Sequence, residues 1–529
     1  GVDLISIKLQ GPDLGQEVWA NRQSRPSISL LAASLIAFLA ASLPLFYLFR
    51  RAIDAEMSEV SLILFRSKTL EILATTLGLT IAVTTLSTLI GLALAWTLFN
   101  VDLPLKSTLQ ALVILPVAIP SYVFTYSWIS LIPGFNGLWA ALFVLVLATT
   151  PYITLTTLAA LRRSDWSTYE VAQTLGLNGF QIFVRVTWPQ IKNSVAAGSL
   201  LSALYVLSDF GAISLLGVDT LTRAIENIYR GSFDRSSASI LALILVAISA
   251  LVIKLEERSR QKLGIIKSSS RIIKRAKAND KFKVKVIALL GIGLYLALGL
   301  VIPMFQLLSI FLANSTSINY SLLFQASLST LIAACLGALI ALALALPVGI
   351  LSAQGSRLGR VSDKAILIVH ALPGIVMGLA LVSFGASIGW LYQSLLLLSF
   401  AYALLFMAKA VGSVRSSVDR VPRNLIEISA TLGLRKSATF RRVVAPLATP
   451  GLLSGTLLVL LAAMKELPAT LMLKPIGFET LATQMWSYSS IFRFNEAAPY
   501  ALLLVLIAAI PTFLINRPDK NDGIGGDQI

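Results

Sequence analysis

Glu170-Val-Ala-Gln-Thr-Leu-Gly-Leu177 runs on to Pro189, and Glu427-Ile-Ser-Ala-Thr-Leu-Gly-Leu434 runs on to Pro446. The two 20-residue windows stand 257 residues apart and agree at nine positions, among them Glu170/Glu427, Gly176/Gly433, Phe183/Phe440, Arg185/Arg442 and Pro189/Pro446. Upstream, the same spacing without a gap sets Leu115-Pro116 beside Leu372-Pro373; downstream, it sets Gly198 beside Gly455 and Asp209 beside Glu466. The chain is a duplication, and each copy carries one polar segment between apolar runs. In each copy a short helix should close at the glycine, which takes the left-handed turn that ends many helices. Asn178 with Gln181 three residues on reads as a capping box for a second short helix. Arg435 stands at the Asn178 position of the second copy, so that cap is not repeated. Two short helices about a glycine corner make a compact knob. Its recurrence at fixed spacing between apolar runs outweighs an ordinary surface hairpin.

The 529 residues are 56% hydrophobic and only 13% charged, with a mean hydropathy of +0.81. Uncharged apolar runs at this density mean an all-α polytopic membrane protein. A net charge of +17 would raise nucleic acid as a partner in a soluble protein; here the excess of basic residues on one membrane face accounts for it, and no nucleic acid is expected. One cysteine, Cys335, and one histidine, His370, both in apolar runs, leave no material for a disulfide, a cysteine-cluster metal site or a histidine-based triad. No nucleophile, base and metal constellation appears, so catalytic and metal residues are expected to be none.

Twelve spans are expected, at about 29–49, 71–99, 108–130, 137–160, 193–215 and 236–254, then 284–312, 322–351, 364–386, 389–413, 448–470 and 498–516. The organisation follows: a tail at 1–28, a first six-span repeat at 29–254, a basic linker at 255–283, a second repeat at 284–516 and a tail at 517–529. The first tail is too long and polar for a cleaved leader, so the first apolar run reads as a retained anchor. Between Lys254 and Lys285 lie twelve Lys or Arg against three acids, a run suited to lipid headgroups. Both knobs are also rich in Arg, whereas 131–136, 313–321 and 387–388 hold no basic residue. The bias puts knobs, linker and both termini in the cytoplasm, with 50–70 and 216–235 as basic exceptions. Six spans separate the knobs, so the repeats are parallel and related by an axis along the membrane normal.

Glu-x5-Gly followed thirteen residues later by Pro resembles the EAA motif of ABC importer permeases, with Glu-Val-Ala at 170–172 and Glu-Ile-Ser at 427–429 in place of Glu-Ala-Ala. The resemblance spans nearly the whole chain. It implies a permease fold of the type I importer kind in the inner (plasma) membrane. It makes Glu170, Ala172, Gly176, Pro189, Glu427, Gly433 and Pro446 the loops that couple to an ATPase. No G-x-x-x-x-G-K-[ST] occurs here, so ATP and Mg belong to a separate subunit, expected in two copies beside an extracytoplasmic substrate-binding protein. The fused layout and the stretch from Lys465 to Trp486 most resemble ferric iron permeases. The thiamine permeases share the layout, and a secondary transporter of the six-plus-six kind accounts for the spans but not for the knobs.

Asp209 and Glu466 lie sixteen residues into their spans, about 24 Å of helical rise, past the middle of the hydrocarbon core. They are candidates for a substrate path between the halves; the alternative is that each caps loosened backbone or pairs with Arg223 or Lys474. His370, three residues before Pro373, reads as packed or hydrogen-bonded. Tyr122, Tyr126, Trp128, Trp486 and Tyr488 read as aromatics of the membrane interface.

Overall fold

The computed structural model describes residues 27–515 apart from 54–59, 62, 64, 232–234, 262–281, 314–317 and 435. The tail before 27, most of the linker expected at 255–283, Arg435 and the tail expected at 517–529 lie outside the described residues.

The first half runs α1 (Ile28–Ile53), α2 (Ser67–Asn100), α3 (Lys106–Ile114), a 3-10 turn at Leu115–Ala118, α4 (Ser121–Leu131) and α5 (Gly137–Arg163). The knob helices α6 (Trp166–Thr174) and α7 (Gly179–Ile182) follow, then α8 (Trp188–Ser208), α9 (Gly211–Leu215), α10 (Leu221–Gly231) and α11 (Arg235–Gln261). The second half runs α12 (Phe282–Leu296), α13 (Ile302–Ala313), α14 (Tyr320–Ala353), α15 (Arg357–Val369), α16 (Gly374–Ile388) and α17 (Leu395–Asp419). Its knob is α18 (Arg423–Thr431) with α19 (Lys436–Thr439), followed by α20 (Ala445–Met464), α21 (Pro468–Leu473), α22 (Leu481–Ser489) and α23 (Phe494–Ile515). Eight of these segments are long and apolar enough to cross a bilayer unbroken, and two bent pairs bring the number to ten. The remaining two expected spans are α8 and α23.

Each half packs the same way. α2 lies along α5, and both meet α8; α14 lies along α17, and both meet α20. Lipid is as apolar as leucine, so close backbone approach has to hold such helices together. Gly198 of α8 sits where a Cβ would come 2.2 Å from Thr156 of α5, and Gly455 of α20 sits where one would come 2.4 Å from Ser413 of α17. Both pairs are 257 residues apart. The first span of each half crosses over: α1 packs on α14, α15 and α16, while α13 packs on α4 and α23. The two repeats are contiguous in sequence and interlocked in space.

Two proline-bearing spans are broken. α3 and its 3-10 turn meet α4 at 92°, and α15 meets α16 at 106°. Pro120 (ψ 147°) and Pro373 (ψ 151°) stand immediately before α4 and α16 in the same extended conformation. Proline lacks the N–H that would continue a helix and drives its predecessor toward extended backbone, as at Ile119 (ψ 120°). Pro373 therefore matches Pro120, 253 residues earlier, and not Pro116. The starts of α2 and α14, Ser67 and Tyr320, differ by the same 253. From the knobs onward the difference is 257. α16 has 15 residues against 11 in α4, and the four extra residues, about one helical turn, account for the change. The ungapped pairing of Pro116 with Pro373 is thus corrected, and the counterpart of His370 is Val117.

Tyr122, Tyr126 and Trp128 are not interfacial. All three are buried in α4, because the break at Pro120 folds that helix into the interior. Tyr126 Oη donates to the Phe494 carbonyl (2.5 Å), and Trp128 packs edge-on to Phe143. Trp486 is half-buried against Phe210 of the other half, with ring centroids 5.4 Å apart, and Tyr488 packs against Tyr500.

Candidate functional site

The knobs are built by local chemistry. Asp165 caps α6, its carboxylate accepting from the Ser167 amide (3.0 Å) and hydroxyl (2.7 Å); these bonds hold its pKa below the ordinary Asp value. α6 ends in a Schellman turn: the Leu177 amide donates to Ala172 O and the Gly176 amide to Gln173 O, with Gly176 at φ +77°. In the second knob the Leu434 amide donates to Ser429 O, and Gly433 is at φ +76°. A Cβ at Gly176 or Gly433 would meet no atom within 4 Å, so the backbone angle, and not crowding, demands glycine. Asn178 and Gln181 form the reciprocal capping box on α7. A wide π turn follows each knob, at Phe183–Thr187 and at Phe440–Val444. Pro189 and Pro446 stand second in the helices beyond, where the wide turn absorbs the missing N–H.

Ala172 and Ser429 are buried beneath their knobs. Ser429 Oγ bonds the Ile426 carbonyl (2.7 Å) and Thr439 Oγ1 (3.0 Å) inside the second knob. This small, enclosed site explains why alanine and serine exchange there. Glu170 and Glu427 are exposed. So are Leu175 and Leu432, each at 74%, together with Val171 and Ile428. The exposed apolar side chains are thus matched between the two knobs, 257 residues apart.

The second constellation lies at the two breaks. Asp209 follows the end of α8, and one carboxylate oxygen accepts from the Ala212 (3.1 Å) and Ile213 (3.3 Å) amides of α9 while the other accepts from Ser121 Oγ. Asp209 is 7% exposed and satisfied within its own half. Glu466 is placed alike after α20, and its Oε1 accepts from the Ala469 amide (3.1 Å). Its other oxygen has no hydrogen-bond partner among the described residues. The difference traces to one exchange: Ser121 corresponds to Gly374, where a Cβ would come 2.1 Å from Glu466 Oε1. Neither carboxylate pairs with the basic residues considered from sequence. Arg223 binds Asp219 (3.0 Å), and Lys474 binds Glu479.

Two lysines were missed in the sequence reading: Lys465, next to Glu466 in the chain, and Lys409 in mid-span. Lys465 Nζ donates to the Val117 carbonyl of the first half (3.1 Å), and Tyr122 Oη donates to the Lys465 carbonyl (3.2 Å). Lys409, midway along α17, is exposed and stands 5.0 Å over the Phe406 ring. The basic residue within Phe-Met-Ala-Lys409-Ala-Val was the available signal, because an ionisable group in mid-span is a functional suspect by default. His370 Nδ1 donates to the Leu405 carbonyl (2.8 Å), as expected of a hydrogen-bonded histidine. No group of three or more metal-ligating side chains occurs among the described residues.

The family model for the binding-protein-dependent transport system inner membrane component matches twice, at residues 87–263 and 345–517. The chain belongs to that family. This multi-pass membrane protein is an ABC importer permease of two fused repeats, and its relatives are transport permeases, not enzymes. The family implies an ATPase and a substrate-binding protein as partners. The chain is 30% identical over 506 residues to the Fe(3+)-transport system permease protein FbpB 2 of Haemophilus influenzae, covering 93% of this chain and 99% of the relative. It is 28% identical to the molybdate/tungstate transport system permease protein WtpB of Pyrococcus furiosus, over 42% of this chain and 89% of the relative. It is also 28% identical to the sulfate transport system permease protein CysT of Escherichia coli, over 31% of this chain and 66% of the relative.

Proposed function

We propose that this permease carries ferric iron, and that each of its two knobs docks into one copy of a separate ATPase that supplies ATP and Mg. The likeness to the iron permease along nearly the full length of both chains supports the cargo. The observation that carries the coupling is the matched pair of corners, Gly176 and Gly433, each beside an exposed leucine. Glu170, Ala172, Pro189, Glu427 and Pro446 shape those knobs. When the ATPase subunits close, the knobs transmit the movement through the π turns into α8 and α20, the helices that end at Asp209 and Glu466.

In this proposal the knob face is cytoplasmic, both termini lie on that side, and the binding protein delivers at the opposite face. Ion pairs at the far ends support the orientation: Lys68 with Asp219 (3.1 Å), Arg230 with Glu226 (3.0 Å) and Arg493 with Glu496 (2.6 Å) neutralise basic residues that run against the charge bias. The path runs between the halves past Glu466, whereas Asp209 holds α9 in place. A second reading, an oxyanion cargo, is favoured by the sulfate and molybdate relatives. Proteoliposomes holding the permease with its ATPase and binding protein, offered ⁵⁵Fe(III), molybdate, sulfate or thiamine, test the cargo. ATP-dependent uptake of ⁵⁵Fe above the other three is expected. Uptake of another solute with no ⁵⁵Fe overturns the iron reading.

A further inference from the structure

Each broken span leaves a short arm on its knob side, α3 in the first half and α15 in the second, and each arm lies between two bodies. α3 packs on α2 and α5 of its own half and on α12 of the other; α15 packs on α14 and α17 of its own half and on α1 of the other. Apolar contact is non-directional, so polar anchors decide which neighbour an arm follows.

One residue in each arm bridges three helices of its own half. Gln110 of α3 accepts from Arg162 Nη2 of α5 (2.6 Å), and its Nε2 lies 3.5 Å from the Leu98 carbonyl of α2. Asp363 of α15 accepts from Arg415 Nη1 of α17 (2.5 Å) and from Ser352 Oγ of α14 (3.1 Å). Gln110 and Asp363 are 253 residues apart, the difference that relates these parts of the two halves. The arginines are not counterparts. α5 and α17 match at 257, as Thr156 and Ser413 show, so Arg162 stands at the place of Asp419 and Arg415 at that of Leu158. Residues four apart share a helix face, so two different arginines, one turn apart, reach the same position. A contact made twice by different residues is not a mere relic of duplication. Both arginines stand near the knobs: Arg162 is in the last turn of α5, just before Asp165 caps α6, and Arg415 lies four residues before the end of α17. Toward the other half, α15 meets α1 through a longer hydroxyl pair, Ser34 with Ser362 (3.3 Å).

We propose that Arg162 with Gln110 and Arg415 with Asp363 are clasps that make each arm follow its own knob, so that closure of the ATPase moves the knob-side parts of the broken spans together with α8 and α20. This rests on the coupling reading above and not on the identity of the cargo. The four are positioning residues, acting through arms that lead into the breaks at Pro120 and Pro373. The Arg415 side chain is 48% exposed, and bonds at such exposure add little to stability, so losing the clasps frees the arms without dismantling the fold.

The whole transporter, with Cys335→Ser, is spin-labelled at matched pairs of exposed positions. Thr168→Cys with Leu425→Cys reports the knobs; Thr108→Cys with Val361→Cys, in a second preparation, reports the arms. Distances between labels are compared in the nucleotide-free and vanadate-trapped states. Both pairs are expected to shift on trapping. Arg162→Ala together with Arg415→Ala should cut the arm shift by at least half and leave the knob shift in place. Arg415→Asp alone should reduce the arm shift, and its combination with Asp363→Arg should restore it. A full arm shift in the alanine variant overturns the clasps and leaves knob docking standing. An exchange no better than Arg415→Asp alone overturns them too. Knobs that stay still on trapping overturn the coupling reading and the clasps with it. Arms that stay still in the protein with intact clasps, while its knobs shift, overturn the clasps alone, and that comparison needs no clasp variant to assemble.

Discussion

Ser121 and Gly374 occupy one place in the two halves, and that exchange gives two matched carboxylates different work. Asp209 accepts three hydrogen bonds in a buried site, so Asp209→Asn should destabilise the assembled permease by about 1–3 kcal/mol, read as a lower thermal midpoint in detergent. Glu466→Gln should leave that midpoint nearly unchanged and reduce uptake severalfold. Equal midpoints for the two variants would remove the distinction. The pairing of Asp209 with Glu466 was legible in sequence because both lie on the stretch with a constant difference of 257. Their unequal bonding was not, because Ser121 and Gly374 are matched only when the four extra residues of α16 are known. Lys409 was legible in principle, as a charge in an apolar run; the reach of Lys465 to Val117 at the other half's break was not.

Helix ends and helix contacts set the next scale. The knob helices were readable from Gly176, Gly433 and the Asn178–Gln181 box, since capping depends on neighbours in sequence. The cap at Asp165 adds a pH dependence. Its pKa is lowered in the fold, so the cap's contribution is complete above the ordinary Asp value and is lost as pH falls through the folded one. Asp165→Ala should cost α6 about 1 kcal/mol, a roughly fivefold loss of amide-exchange protection confined to that helix. Unchanged protection would show that tertiary packing alone holds it. Gly198 and Gly455 belong to this scale too. Gly198→Val forces α8 away from Thr156 and should cost about 1–3 kcal/mol, seen in the same thermal assay; an unshifted midpoint would contradict the close packing. The breaks of 92° and 106° were only half legible: proline marks where a helix is interrupted, but the angle is set by the interior that receives α4 and α16.

At the scale of the whole molecule, eight long helices and two bent pairs carry ten of the twelve spans expected; a many-spanned parallel duplication followed from hydropathy and one repeated motif. The crossing-over of α1 and α13 did not, because no local pattern says which half an apolar helix joins. The proposed orientation is open to direct test. A reporter active only outside the cytoplasm should be active when fused at residue 133 and silent at 270; activity at 270 would refute a cytoplasmic linker. The central claim is that two like knobs on one face each hold one ATPase subunit. Native mass of the solubilised complex tests it most directly. Two ATPase copies per permease chain are predicted. Gly176→Arg or Gly433→Arg, where an added Cβ meets no atom and the strain of the left-handed backbone is confined to one knob, should each reduce that number to one. A single ATPase copy on the unaltered chain, or two copies still bound to both variants, would contradict the account.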